Sequence, residues 1–157
     1  MNVVPEGYHT VTPWMITNGR TAELIDFVME VFDATDLGRV GEAPAIAHAE
    51  VRIGDSVVMM FDVPNWPKIP VFLRVYVADD VATLKKAEEL GSRVVTDPTE
   101  LFWGDRVSRF VDPFGNLWWL HQRVADPTPE EMNARMADPA FIKAMEYVQS
   151  ADFTPAM

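Results

Sequence analysis

The chain contains no cysteine, which excludes disulfides, thiolate metal sites and a cysteine nucleophile. Basic residues are few: 13 Lys and Arg stand against 24 Asp and Glu, for a formal charge of −11. Such a surface repels a phosphate backbone, so nucleic-acid binding is not expected, whereas a cationic ligand would be drawn in weakly and in a salt-dependent way. No apolar run reaches the roughly 18 residues of a membrane span, so no membrane partner is expected. The opening MNVVPEGYHT has neither a basic n-region nor an apolar h-region, so no secretory leader is expected and the cytoplasm is the expected location. What remains, 157 residues of which 48% are hydrophobic, fits a single domain with a sizeable core.

The most informative stretch is FWGDRVSRFVDPFGNLWWLH at 102–121. It reads as an aromatic loop, a strand over 107–111, a tight turn at Asp112-Pro113-Phe114-Gly115-Asn116 and a second strand over 117–121. Alternation along that second strand puts Leu117, Trp119 and His121 on one face and Trp118 on the other. A Trp beside a His suits a pocket wall; the plainer reading is packed core with a rim histidine.

In chain order, 8–16 reads as a strand with Pro13 marking an edge or bulge, and 22–32 as a helix after a possible Thr21 cap. Leu24, Phe27, Val28, Val31 and Phe32 recur at helical spacing. A short strand near 37–40 precedes better ones at 46–53 and 57–61. His48, Glu50 and Arg52 share one face of the former, and His48 with Glu50 could form an acid–base pair at a cavity mouth. The proline-rich 62–70 is a loop. Then come a strand over 71–77, with Phe72, Arg74 and Tyr76 on one face, a helix over 81–90 capped by Asp79 or Asp80, a strand over 92–96 and the hairpin. The order strand, helix, three strands therefore occurs twice. Matching the hairpin turns sets Met59 opposite Trp119, and matching the opening strands sets His9 opposite Phe72. In the tail, Thr128-Pro129-Glu130-Glu131 is a capping box, and Asp138-Pro139 opens a second short helix with Phe141, Ile142, Met145 and Val148 along one stripe. A helix that short must dock on its own domain or on a second subunit.

YHTVTP at 8–13, IAHAEVRIGDS at 46–56, VYVADD at 75–80, WGDR at 103–106 and DPFGNLWWL at 112–120 resemble the vicinal oxygen chelate superfamily, which holds glyoxalase I, bleomycin-resistance proteins, fosfomycin-resistance enzymes and extradiol dioxygenases. The closer resemblance is to its PhnB-like, glyoxalase-like branch. The resemblance implies an α+β fold of two βαβββ modules, at about 7–62 and 71–123, forming curved mixed sheets around a cavity. These would make one domain over 1–125, with a helical extension over 126–157, usually in a homodimer. It also implies substrate oxygens chelated on a divalent metal held by ligands from equivalent strands. Those positions fall at or beside His9, Met59, Phe72 and Trp119, and only His9 can bind such an ion. No cofactor is therefore expected, with a divalent metal on His9, His48 and His121 as the alternative.

Two functions follow. The first is a binding protein for a small cationic or aromatic molecule, lined by Trp66, Phe72, Tyr76, Phe102, Trp103, Trp119 and Met59. The second is a metal-dependent glyoxalase-type lyase, isomerase or dioxygenase acting on a small oxygenated substrate. There His9, His48, Glu50 and His121 are the acid–base candidates, and Arg74 and Arg106 hold an anionic group. For Arg106 the favoured reading is a structural ion pair with Asp105 or another carboxylate.

Overall fold

Apolar residues at every second position give a strand one face to bury, and an amphipathic helix gives it something to bury against. The computed structural model describes residues 1–152 and shows this arrangement twice, in two compact units, Met1–Pro70 and Val71 onward. The first unit runs β1 (Trp14–Ile16), α1 (Thr21–Phe32), β2 (Thr35–Val40), β3 (His48–Ile53) and β4 (Ser56–Phe61). Its strand order is β1-β4-β3-β2, with β1 parallel to β4 and the other pairs antiparallel. Leu24, Ile25, Phe27, Val28 and Val31 of α1 are buried, as are Met15, Ala49, Val51, Ile53, Val58 and Met60 of the sheet.

The second unit repeats the order: β5 (Phe72–Tyr76), α2 (Asp80–Glu89), β6 (Arg93–Glu100), β7 (Asp105–Val111) and β8 (Leu117–Arg123), with sheet order β5-β8-β7-β6. Helix α2 packs on β6, β7 and β8. Trp118, stacked on Phe110 at 6.3 Å, and Leu120 are fully buried. The fold is α+β, two βαβββ modules followed by helices.

Several boundaries differ from the expectation. The first strand is Trp14–Ile16 rather than 8–16, because Gly7 turns the chain at its start and the ladder begins only past Pro13, whose carbonyl accepts from Met59 N. His9 therefore lies outside any strand, exposed, 3.5 Å from Asp55. Thr21 does not cap α1. It is the first helical residue, and the Asp62 carboxylate takes the amides of Gly19 and Thr21 and the hydroxyls of Thr17 and Thr21. A carboxylate at a helix N-terminus satisfies donors that the helix cannot. β6 continues to Glu100 through Pro98, with shifts in register between Val94 and Thr99.

The tail docks on its own unit. Thr128 and Glu131 form the capping box that opens α3 (Pro129–Ala137), and the Asp138 side chain caps α4 (Pro139–Ser150) at Ala140 N. Val148 of α4 is buried with Leu101 and Val107, and Ala144, Met145, Trp103 and Trp119 pack around them. Tyr147 accepts from Asp97 N at 3.0 Å, and Arg109 donates to the Val148 carbonyl. The path into the tail requires glycine at 104. Its carbonyl accepts from Val124 and Ala125, and a Cβ there would sit 2.3 Å from the Ala125 oxygen. The final residues of the expected extension, 153–157, lie outside those described. Among the described residues no helix is long and apolar enough to cross a membrane.

The hairpin turn is held by one buried carboxylate. Asp112 accepts from Phe114 N, from Asn116 N and Nδ2, and from Trp118 Nε1, all between 2.8 and 2.9 Å. Asp112→Ala strands several of these donors in a dry site, so the expected loss is about 3 kcal/mol or more in equilibrium urea unfolding; a loss under about 1 kcal/mol would contradict this account of the turn.

Candidate functional site

Each sheet has a second face, turned away from its module's helix, and the chemistry-bearing residues collect there. In the second unit, register pairs Phe72 with Leu117, Arg74 with Trp119 and Tyr76 with His121; across β7, Arg109 pairs with Trp119 and Val107 with His121. The rows Arg74–Trp119–Arg109 and Tyr76–His121–Val107 thus share one face. Phe72, Arg74 and Tyr76 are exposed, while the β7 side lies beneath α4.

Asp105 is the electrostatic centre of this face. Its Oδ2 lies 2.9 Å from His121 Nδ1 and accepts from Tyr76 Oη at 3.1 Å, and its Oδ1 accepts from Arg123 at 3.1 Å. Tyr76 starts on β5 and reaches Asp105 on β7, so its ring passes over β8, 5.3 Å from the His121 ring. Burial alone would raise the Asp105 pKa, but hydrogen bonds from His121, Arg123, Trp103 and Tyr76 outweigh it and hold the group below the usual carboxylate range. Burial lowers the His121 pKa, against the opposing pull of Asp105 and with help from Arg74. The ionised carboxylate fixes the tautomer: Nδ1 carries the proton toward Asp105, and Nε2 keeps its lone pair. His121 is fully buried, and its Nε2 has no partner.

In the first unit, Trp14, Met59 and Glu50 form one row and Ile16 and Phe61 begin the next. Trp14 stacks on Phe61 at 5.4 Å, and Trp66 meets both edge-on at 6.0 and 6.3 Å. Trp14 and Trp66 remain 47% and 51% exposed. Glu50 accepts from the Tyr8 hydroxyl, which raises the Tyr8 pKa, and lies 3.5 Å from His48 Nε2.

The family model described as the glyoxalase/bleomycin resistance protein/dioxygenase superfamily matches residues 9–120. The chain belongs to that superfamily. It is 33% identical over 150 residues to the Mycobacterium bovis protein Mb0911c, covering 87% of this chain and 95% of that one. PA1353 from Pseudomonas aeruginosa shares the fold at a TM-score of 0.62 with 20% identity, over 74% of this chain and 99% of that one. A PhnB protein from Bacillus cereus shares it at 0.56 with 15% identity, over 73% and 99%.

The superfamily's metal does not fit the residues present. With Met59 matched to Trp119 as the hairpin turns set them, the ladders put Trp14 opposite Arg74, and two residues back along the chain Thr12 opposite Phe72 rather than His9. Trp14, Met59, Arg74 and Trp119 offer no hard or borderline donor. One step along the ladders stand Ile16, Phe61, Tyr76 and His121, with a single imidazole; one step back stand Thr12, Val57, Phe72 and Leu117. Among the described residues no three His, Asp or Glu side chains are grouped to hold an ion.

The expected site residues fall into separate places. Phe72, Arg74, Tyr76, Trp119 and His121 are brought together on the second face. Met59, His48 and Glu50 belong to the first unit's face, and His9 to neither ladder. Trp103 is packed against the cluster under α4. Phe102 lines a hollow of about 280 Å3 with Met136, Phe141, Ile142 and Met145, between the tail helices and the aromatic loop. Arg106 sits on the helix side of its sheet, its Nε 2.6 Å from Asp80 and its Nη2 2.7 Å from Gln122, the ion-pair alternative with a different carboxylate. Reading the sequence alone overlooked Arg109, Trp14 and Phe61. Strand parity would have found Arg109, which alternates with Asp105 and Val107 onto the Trp119 face.

The buried neutral His121 has a pH signature. A depressed pKa in the folded state means that the unfolded chain binds its proton first, so stability falls as pH drops below about 6.5. The depressed Asp105 and Asp62 add a further loss below about pH 4. Urea midpoints measured at pH 7.5, 6 and 5 should decline, and the decline should be reduced in His121→Gln; a wild-type midpoint flat over this range would contradict a buried neutral imidazole.

Proposed function

We propose that the protein is a small-molecule-binding member of its superfamily that takes a flat cationic ligand on the open sheet face of the first unit, without a metal. The observation that carries this reading is the ring cluster Trp14, Phe61 and Trp66, whose two tryptophans are exposed, with the half-buried Glu50 in the ladder row of Trp14. Indole faces attract cations through their quadrupole, and a nearby carboxylate adds a Coulomb contribution. The second unit's aromatics are less suited to a cation. Guanidiniums of the chain itself already lie over them, Arg74 5.4 Å from the Tyr76 ring centre and Arg109 5.3 Å from that of Trp119. The net charge of −11 supports attraction of a cation over longer range. This places the ligand on residues other than the Phe72–Tyr76–Trp119 wall that the sequence suggested.

The PhnB-like type, a homodimer and a cytoplasmic location belong to the same proposal. The homodimer rests on the superfamily resemblance and no longer on the tail, whose apolar stripe meets its own sheet through Val148 and Met145.

A flat cationic dye such as thioflavin T is the first probe. Trp14→Ala and Trp66→Ala should each weaken its binding about three- to thirtyfold, the range of a cation–π contact, and Glu50→Gln should weaken it with a flatter salt dependence. Dye affinity unchanged in both tryptophan variants, by fluorescence titration on folded protein, would overturn the reading.

A further inference from the structure

The second unit's face poses a separate electrostatic problem. Most other guanidiniums of the chain are matched to carboxylates: Arg20 with Glu23, Arg39 with Asp36 and Asp26, Arg106 with Asp80, Arg123 with Asp105 and Asp126, Arg135 with Glu100. Arg74 and Arg109 are not. They flank Trp119 in one row across β5, β8 and β7, and among the described residues neither forms an ion pair, in a chain with 24 acidic residues. Arg109 is only 9% exposed, it donates to the neutral Val148 carbonyl, and burial lowers its pKa. A buried guanidinium without a counter-charge is costly, and that cost is removed when an anion binds.

Three buried atoms on this same face also lack partners: Arg109 Nε, Trp119 Nε1 and His121 Nε2. Their characters differ. The first two are N–H donors, and the third, with Nδ1 committed to Asp105, is an acceptor. The rings of Trp119 and His121 are 4.8 Å apart, and the Arg109 guanidinium carbon lies 5.3 Å from the Trp119 ring centre, so the three side chains are immediate neighbours. The rest of the charged surroundings are accounted for. Tyr76 and Arg123 are engaged with Asp105, α4 contributes the apolar Ala144, Met145 and Val148, and Tyr147 is turned to Asp97.

We infer that the Arg74–Trp119–Arg109 row, together with His121, is a binding site for a small carboxylate that carries a hydroxyl. The carboxylate accepts from Arg109 and the Trp119 indole N–H, with Arg74 supplying charge from the exposed side. The hydroxyl donates to His121 Nε2. Tyr76, 57% exposed over the imidazole, is the side chain that must give way to admit the ligand from the β5 side. The site is independent of the aromatic cluster on the first unit and opposite to it in ligand charge.

The test compares probes that differ only in the hydroxyl: mandelate against phenylacetate, and 4-hydroxybenzoate against benzoate, by calorimetry on the intact protein. In at least one pair the hydroxylated member should bind about tenfold or more tightly than its partner, because a site built around a buried acceptor rejects an analogue lacking the donor. Side-chain ¹⁵N spectra should show the His121 Nε2 signal moving with the hydroxylated member alone. Arg109→Met should abolish that binding while leaving the ligand-free thermal midpoint equal or higher, since it removes an uncompensated buried charge. The inference is overturned if neither hydroxylated probe binds at about 1 mM, or if each pair binds equally. It is also overturned if Arg109→Met lowers the ligand-free midpoint and leaves affinity intact. Should that variant fail to fold, the wild-type probe pairs and the Nε2 signal decide alone.

Discussion

A four-stranded sheet has two faces, and each module of this fold supplies only one helix to cover them. Everything distinctive about the protein follows from how the uncovered face is handled. Alternation sends Ala49, Val51, Ile53 and Met60 toward the core in the first unit and Trp118 and Leu120 in the second. The same alternation obliges His48, Glu50 and Met59, and Arg74, Trp119 and His121, to share the faces left over. The two units resolve this differently. The first carries an aromatic cluster with two exposed tryptophans on its face; the second covers part of its face with α4 from the tail.

Buried and half-buried carboxylates do much of the fastening, and each is satisfied by several converging donors. Asp62 closes the N-terminus of α1, Asp112 closes the β7–β8 turn, and Asp105 orients His121 and Tyr76. The common chemistry is that a desolvated carboxylate stays ionised only where several N–H or O–H groups point at it. The depressed pKa values of Asp62 and Asp105 have this origin. Asp105 also connects fastening to function, since the proton it fixes on Nδ1 leaves the other imidazole nitrogen as an acceptor.

Superfamily membership shows the fold, and what the site can do is decided by its side chains. Of the expected ligand positions, Met59, Phe72 and Trp119, with their ladder neighbours Trp14 and Arg74, are residues suited to stacking and to anions rather than to divalent cations.

Much of the architecture is legible in the sequence because its signals are local. The 3.6-residue stripe through Leu24, Val28 and Val31, the turn chemistry of DPFGN, the Thr128–Glu131 capping box and the parity separating Trp118 from Trp119 each span a few residues. They specify the repeated strand–helix–strand order and which side chains share a face. What the sequence could not determine was the pairing of residues distant in the chain. Arg106 chose Asp80, which removed it from the site, and Asp62 took over the cap of α1. The ladder began at Trp14, which left His9 outside it, and α4 settled over Arg109 and Trp119. Charge, hydrogen-bonding capacity and apolar area are properties of a residue, but which partner satisfies them depends on which segments the tertiary fold brings within reach.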